Sequence, residues 1–112
     1  MLKKNISEVP IENVELEGAK GVKVQWVFAP KDGVPNFAFR IFHIEKDGHT
    51  PRHTHDWEHE VLILKGEGEI FLNGDLIPYK EGDAFFIPGG EEHQFLAKSE
   101  GKFICLIPNS GC

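Results

Sequence analysis

Glycine and proline set the terms of this fold. Twelve glycines and seven prolines are spread along 112 residues, and only Asn36 to Asp47, Arg52 to Lys65 and Glu91 to Glu100 run longer than nine residues without one. Glycine weakens a helix interior through backbone entropy and proline through its missing N–H and ring clash, so long helices have nowhere to sit. Inside the pieces, β-branched and aromatic residues alternate with polar ones: Val22, Val24, Trp26 and Phe28 against Lys23 and Gln25, and Phe37, Phe39 and Ile41 against Arg40. That is the period of a strand. Lys31-Asp32-Gly33, Lys46-Asp47-Gly48, Asn73-Gly74-Asp75, Glu81-Gly82-Asp83 and Pro88-Gly89-Gly90 fall between the pieces as turns, at the spacing of a sandwich or barrel of short antiparallel strands. The sequence predicts an all-β domain.

Asn73-Gly74 lies between Glu69-Ile70-Phe71-Leu72 and Leu76-Ile77-Pro78-Tyr79. Asn-Gly between two apolar runs predicts a hairpin with a type I′ turn, because both central residues tolerate positive φ. Residues 1–20 are less patterned. Val9-Pro10-Ile11 and Val14-Glu15-Leu16 fit an N-terminal arm, including one reaching across a dimer, or an edge strand, and residues 21–112 are enough for one barrel domain with one core.

Charge and composition narrow the function. Twelve Lys and Arg against 18 Asp and Glu give a net charge of −6, which repels phosphate backbones and anionic lipid, so nucleic acid is not an expected partner. The longest apolar run, Phe103-Ile104-Cys105-Leu106-Ile107, is far short of the ~20 residues that a membrane helix requires, and no membrane association is expected. The opening Met1-Leu2-Lys3-Lys4-Asn5-Ile6-Ser7-Glu8 meets an acid before any apolar stretch, unlike a secretory signal, and a cytoplasmic setting is the expectation. Cys105, in an apolar strand-like run, and Cys112 read as free thiols.

Three of the six histidines, His53, His55 and His59, fall within seven residues. On an extended strand, 53 and 55 share a face, 59 shares it too if no bulge intervenes, and Glu60 points the other way. Imidazole is the commonest metal ligand at neutral pH, and such a group can reach one ion at ~2.0–2.2 Å. His93, after a Gly-rich turn and at the head of the alternating segment His93, Phe95, Ala97, is the candidate for a fourth ligand. His43 and His49 lack same-face histidine neighbours and read as ordinary surface or partly buried side chains.

Gly48-x4-His53-x-His55-x3-His59-x6-Gly66 resembles the first motif of the cupin family, and Gly82-x5-Pro88-x-Gly90-x2-His93 resembles the second. Three departures stand out. The gap from Gly48 to His53 is one residue shorter than is common, Ala97 stands where the second motif often has Asn, and His59 occupies the position that usually holds a Glu ligand. A bulge between Trp57 and Glu60 would hand that place to Glu60 instead. The stretch His53-Thr54-His55-Asp56-Trp57-Glu58-His59-Glu60-Val61, with Cys105-Leu106-Ile107-Pro108 near the end, is similar to a thermophile-associated group of small single-domain cupins with a four-histidine manganese site. The resemblance implies a double-stranded β-helix, a jelly-roll barrel with the metal in its mouth, and a homodimer.

Four neutral imidazoles would leave the full +2 of an ion uncompensated, which favours anionic ligands, and an octahedral shell would keep two positions open for a small molecule. That suits a manganese- or iron-dependent oxidoreductase of the dioxygenase kind, with nickel or zinc as other candidate ions. An isomerase or decarboxylase, or a non-catalytic small-molecule or metal-binding module, would use the same site. Strand parity places Phe95 and Cys105 in the substrate pocket. No residue stands out as a general base.

Overall fold

The structure, a computed structural model, describes residues 1–111; Cys112 lies outside the described residues. Nine strands make up its regular structure: β1 (Glu12–Asn13), β2 (Lys20–Phe28), β3 (Phe37–His49), β4 (His59–Lys65), β5 (Gly68–Leu72), β6 (Asp75–Tyr79), β7 (Ala84–Ile87), β8 (His93–Ala97) and β9 (Gly101–Pro108). Three short 3-10 turns are the only helical pieces among the described residues. All pairings are antiparallel, in the order β6-β5-β8-β3-β9-β4-β7, with β2 on β3 and β1 on β2. The all-β expectation holds, and the sheet curls into a jelly-roll barrel.

The curl depends on β3. Its first part, through Ile44, pairs with β9, while its last residue, His49, pairs with Leu96 of β8, so one long strand serves both walls. Lys46-Asp47-Gly48, expected as a turn, is instead a kink inside this strand. Asp47 takes φ 65°, and the pairing with β2 slips between Lys20 and Val22, which is how a strand changes direction without ending. Asn73-Gly74 forms the expected hairpin, with φ of 46° and 94° and Leu72 paired to Asp75.

The core lies between the walls. Ile44, Ile63 and Ile70 are its largest fully enclosed side chains, with Val61, Ile87, Phe95, Phe103 and Ile107 around them. Burying each such side chain stabilises the fold by roughly 1.5–3 kcal/mol.

Two strand faces differ from the alternation read in the sequence. Gln25, expected on the polar face of β2, is 3% exposed, because residues 6–9 lie over it and its side-chain amide donates to the carbonyls of Ile6 and Val9 at 3.0 Å each. Phe37 and Phe39 point outward and Arg40 points in, reversing the expected sides of β3. The reason is that both faces of this strand are apolar. Ala38, Phe42 and Ile44 belong to the core side, while Ile41, on the other side opposite Gln25, is buried as well. Residues 12–13 pair with β2 as an edge, and Val14 packs against the core.

Candidate metal centre

Residues 50–58 carry two of the clustered histidines, and they form a loop closed by a single bridge, in place of the extended strand that the parity argument assumed. The loop is tied to β8 at both levels. Thr50 N–H donates to the Phe95 carbonyl at 3.0 Å and Phe95 N–H donates back to Thr50 Oγ1 at 2.9 Å, while His53 and His93 exchange backbone hydrogen bonds of 3.2 and 3.1 Å. On the far side, Gly90 N–H donates to the His55 carbonyl at 2.8 Å. Gly89 must be glycine for this approach, since a Cβ there would strike the Asp56 carbonyl oxygen. β4 then begins at His59, with His59 opposite Ile87 and Glu60 opposite Phe86 and no slip in register. His59 therefore turns inward, 8% exposed, and Glu60 turns to solvent.

These constraints bring His53, His55, His59 and His93 together, with one ring nitrogen from each within 4.8 Å of all the others. Five of the six ring pairs have centroids 4.6–5.0 Å apart. The Nε2 atoms of His55 and His59 stand 2.8 Å apart. Two donors at right angles on an ion at about 2.1 Å would be about 3 Å apart, so the His55–His59 pair has the spacing of adjacent ligands and the group as a whole could hold one ion. The outer nitrogens are already engaged. Nδ1–H of His55 donates to the Trp57 carbonyl at 2.9 Å and that of His93 to the Glu91 carbonyl at 2.8 Å, while His59 Nδ1 lies 3.1 Å from Cys105 Sγ. The two bonds to carbonyls put the proton of His55 and His93 on Nδ1 and leave their Nε2 lone pairs facing inward, the tautomer that a metal requires. The His55 ring also stacks on Trp57, 4.2 Å and 4° from parallel, and Trp57 in turn lies against Gly111.

A family profile for the cupin domain matches residues 40–107, more than half of the chain. The chain belongs to the cupin family. Among solved structures, this cupin is similar to the polyketide cyclase RemF from Streptomyces resistomycificus, at 31% identity and a TM-score of 0.91 over 97% of this chain and 80% of that one. It is also similar to a predicted oxalate decarboxylase from Thermotoga maritima, at 26% identity and a TM-score of 0.84 over 96% and 98% of the two chains. Among curated proteins, 70 residues are 31% identical to 1-methylthio-D-xylulose 5-phosphate methylsulfurylase from Rhodospirillum rubrum, covering 61% of this chain and 45% of that protein. A further 62 residues' match, 40% identical, is to an uncharacterized HTH-type transcriptional regulator of Bacillus subtilis, 54% of this chain and 21% of that one. The cupin thus spans less than half the length of the curated relatives it matches.

Electrostatics in this cupin favour the neutral, donating form of His53, His55 and His59. Burial, then the neighbouring His93 and His55 and the Arg40 guanidinium, push His53 down from 6.5 to about 4. His59 is lowered further still, first by burial and then by Arg40. His55 is also lowered, chiefly by burial, against a raising contribution from its bond to Trp57. His43 and His49 stay out of the cluster. His43 is on the outside of β3 with Nε2 at 2.7 Å from Gln25 Oε1, and His49 pairs with Leu96 near the end of the barrel.

A cavity of about 90 Å³ opens beside the cluster, walled by Phe42, Phe95, Phe103, Val22 and Cys105 and covered by Val14 and Leu16 from the N-terminal segment. Phe95 and Cys105 both face it. Phe95 stacks on Phe103 at 4.6 Å, and Cys105 is a buried free thiol whose pKa burial pushes up while Arg40 pulls the other way. Arg40 lines the same cavity, and the alternation reading missed it. The available signal was a single cation in the run Phe37-Ala38-Phe39-Arg40-Ile41-Phe42, where neither face looks solvated.

Proposed function

We propose that this cupin is a divalent-metal enzyme, manganese- or iron-dependent with nickel or zinc as other candidate ions, that acts as an oxidoreductase of the dioxygenase kind on a small oxygen-bearing molecule. The convergence of four inward ring nitrogens beside an apolar cavity carries the proposal. His53, His55, His59 and His93 would hold the ion through Nε2, with Trp57, Glu91 and Cys105 fixing three of the rings. When bound, the ion supplies Lewis acidity and, for manganese or iron, access to dioxygen chemistry. Phe42, Phe95 and Phe103 exclude water from the space where a substrate would sit, and Arg40 adds positive charge to its wall. Among the described residues no carboxylate, lysine or tyrosine lines this cavity, which favours chemistry that does not depend on a protein base.

A second reading, Lewis-acid catalysis of a cyclisation, isomerisation or decarboxylation, draws support from the 31% identity to a polyketide cyclase over 97% of the chain. Oxygen uptake with a panel of phenols, diketones and styrenes separates the two, using protein loaded with manganese, iron or zinc. Uptake with manganese or iron but not zinc is expected. Zinc-supported turnover without oxygen would select the second reading, and ligand binding with no turnover would make the protein a binding module.

Two further expectations accompany this reading. The outer face of β3, β9, β4 and β7 exposes Phe37, Leu62 and Phe86, 59%, 38% and 60% accessible, and a second copy of the chain is the occupant that the cupin resemblance implies. The unpaired thiol of Cys105 suits a reducing, cytoplasmic setting. No helix among the described residues is long and apolar enough to cross a membrane.

A further inference from the structure

Arg40 is a cation in a place that gives it no anion. It makes no ion pair among the described residues, and none of the side chains around the cavity is acidic. Its Nη2 donates to Cys105 Sγ at 3.1 Å and stands 3.5 Å from His59 Nδ1, while its Nε is shut off from solvent with no partner. The guanidinium is nevertheless held in position, with its carbon 4.8 Å from the centroid of Phe42 and 5.4 Å from that of Trp26. Arg40 is half-buried, so its charge is partly desolvated without a counter-charge, and an ion bound by four neutral imidazoles would add two more positive charges next to it. A guanidinium held in place with an unfilled Nε–H donor is a usual receptor for a carboxylate.

Position and space limit what that carboxylate can belong to. Arg40 Nη2 stands 3.5 Å from the His59 ring, and Arg40, His53, His59 and His93 line one cavity, so a molecule of a few heavy atoms held there can meet both the guanidinium and the cluster. The cavity of about 90 Å³ is roughly three times the ~30 Å³ share of one water in the liquid, which is the room such a molecule needs. Resting on the metal-enzyme reading above, we propose that Arg40 is the specificity-determining anchor of the site and that its ligands are small 2-oxo or 2-hydroxy carboxylic acids. The carboxylate would meet Arg40 and the neighbouring oxygen would face the histidine cluster. An aromatic or hydrocarbon substrate lacking a carboxylate would leave the guanidinium unmatched.

The test is a pair of probes of nearly equal size, pyruvate and its neutral methyl ester, titrated calorimetrically into zinc-loaded protein, with zinc content measured in parallel. Wild type is expected to prefer pyruvate, and Arg40→Met, which keeps the apolar stem, to lose about tenfold or more in pyruvate affinity with the ester unchanged and zinc content intact. Arg40→Lys keeps the charge without the fork and is expected to fall between the two, which decides the matter if the Met variant does not fold. Equal pyruvate affinity in wild type and variants, an equal loss for acid and ester, or no preference for pyruvate in wild type would each overturn the proposal. If wild type takes up no zinc, the metal reading falls by itself, and the same titrations into metal-free protein still decide the role of Arg40.

Discussion

Replacing His59 with alanine tests the proposed centre at the candidate ligand that most departs from the family pattern. The ring supplies one of four converging nitrogens, stands 2.8 Å from His55 Nε2, and is 8% exposed, so no solvent-side group replaces it. Losing an outer partner of a metal ligand typically weakens a site 10–100-fold, and losing the ligand itself is expected to cost about 100-fold or more. At a metal concentration 1,000 times the wild-type Kd, binding stabilises the folded chain by about 4.1 kcal/mol, and a variant 100-fold weaker retains about 1.4 kcal/mol. The difference of about 2.7 kcal/mol corresponds to about 10 °C in the metal-induced rise of Tm for a domain of this size. Scanning calorimetry of metal-free and metal-loaded protein measures that rise directly, and using each protein's own metal-free state as reference removes the packing cost of the deletion. His43→Ala is the control, because His43 sits on the outside of β3 against Gln25. An undiminished rise in His59→Ala, with full metal content, would refute the placement of His59 in the centre. A rise lost equally in His43→Ala would refute its specificity.

Acid should destabilise the metal-free protein in a defined window. His53 titrates near 4 in the folded state against 6.5 ordinarily, so the unfolded chain takes up its proton first as pH falls. The contribution is complete above 6.5 and is lost progressively toward 4. Urea unfolding at pH 7.5 and pH 5 should show a smaller loss in His53→Gln than in wild type, and an equal loss would count against the burial argument. Light scattering should give wild type twice the 12.6 kDa chain mass, and Phe86→Glu, changing a side chain that is 60% exposed, should give the single mass with unchanged secondary structure. A wild-type monomer would remove the paired-copy assignment of the outer face.

Much of the histidine cluster was legible because its members are close in sequence. His53, His55 and His59 are separated by so few residues that almost any compact path keeps them near one another, and the count of residues before Gly66 selected His59 over Glu60. The route to that outcome was different from the one expected. An extended strand was assumed, whereas a loop pinned by the His53–His93 bridge and by Gly90 brings the rings together. Turn chemistry was legible where it is strictly local, as at Asn73-Gly74, and misleading at Lys46-Asp47-Gly48, where the neighbouring strand β2 absorbs the irregularity as a slip in register.

By itself the sequence determined the all-β character, through the placement of glycine and proline, and the identity of the clustered histidines, through their spacing. The tertiary structure alone decided which way β3 faces. Residues 37–42 are apolar on both sides, because one side meets the core and the other is partly covered by the N-terminal segment, so alternation could not rank the two faces. That choice is what sends Arg40, and its positive charge, to the cavity wall. Local periodicity reports a contrast between faces, and where packing on both sides removes the contrast only the assembled barrel carries the information.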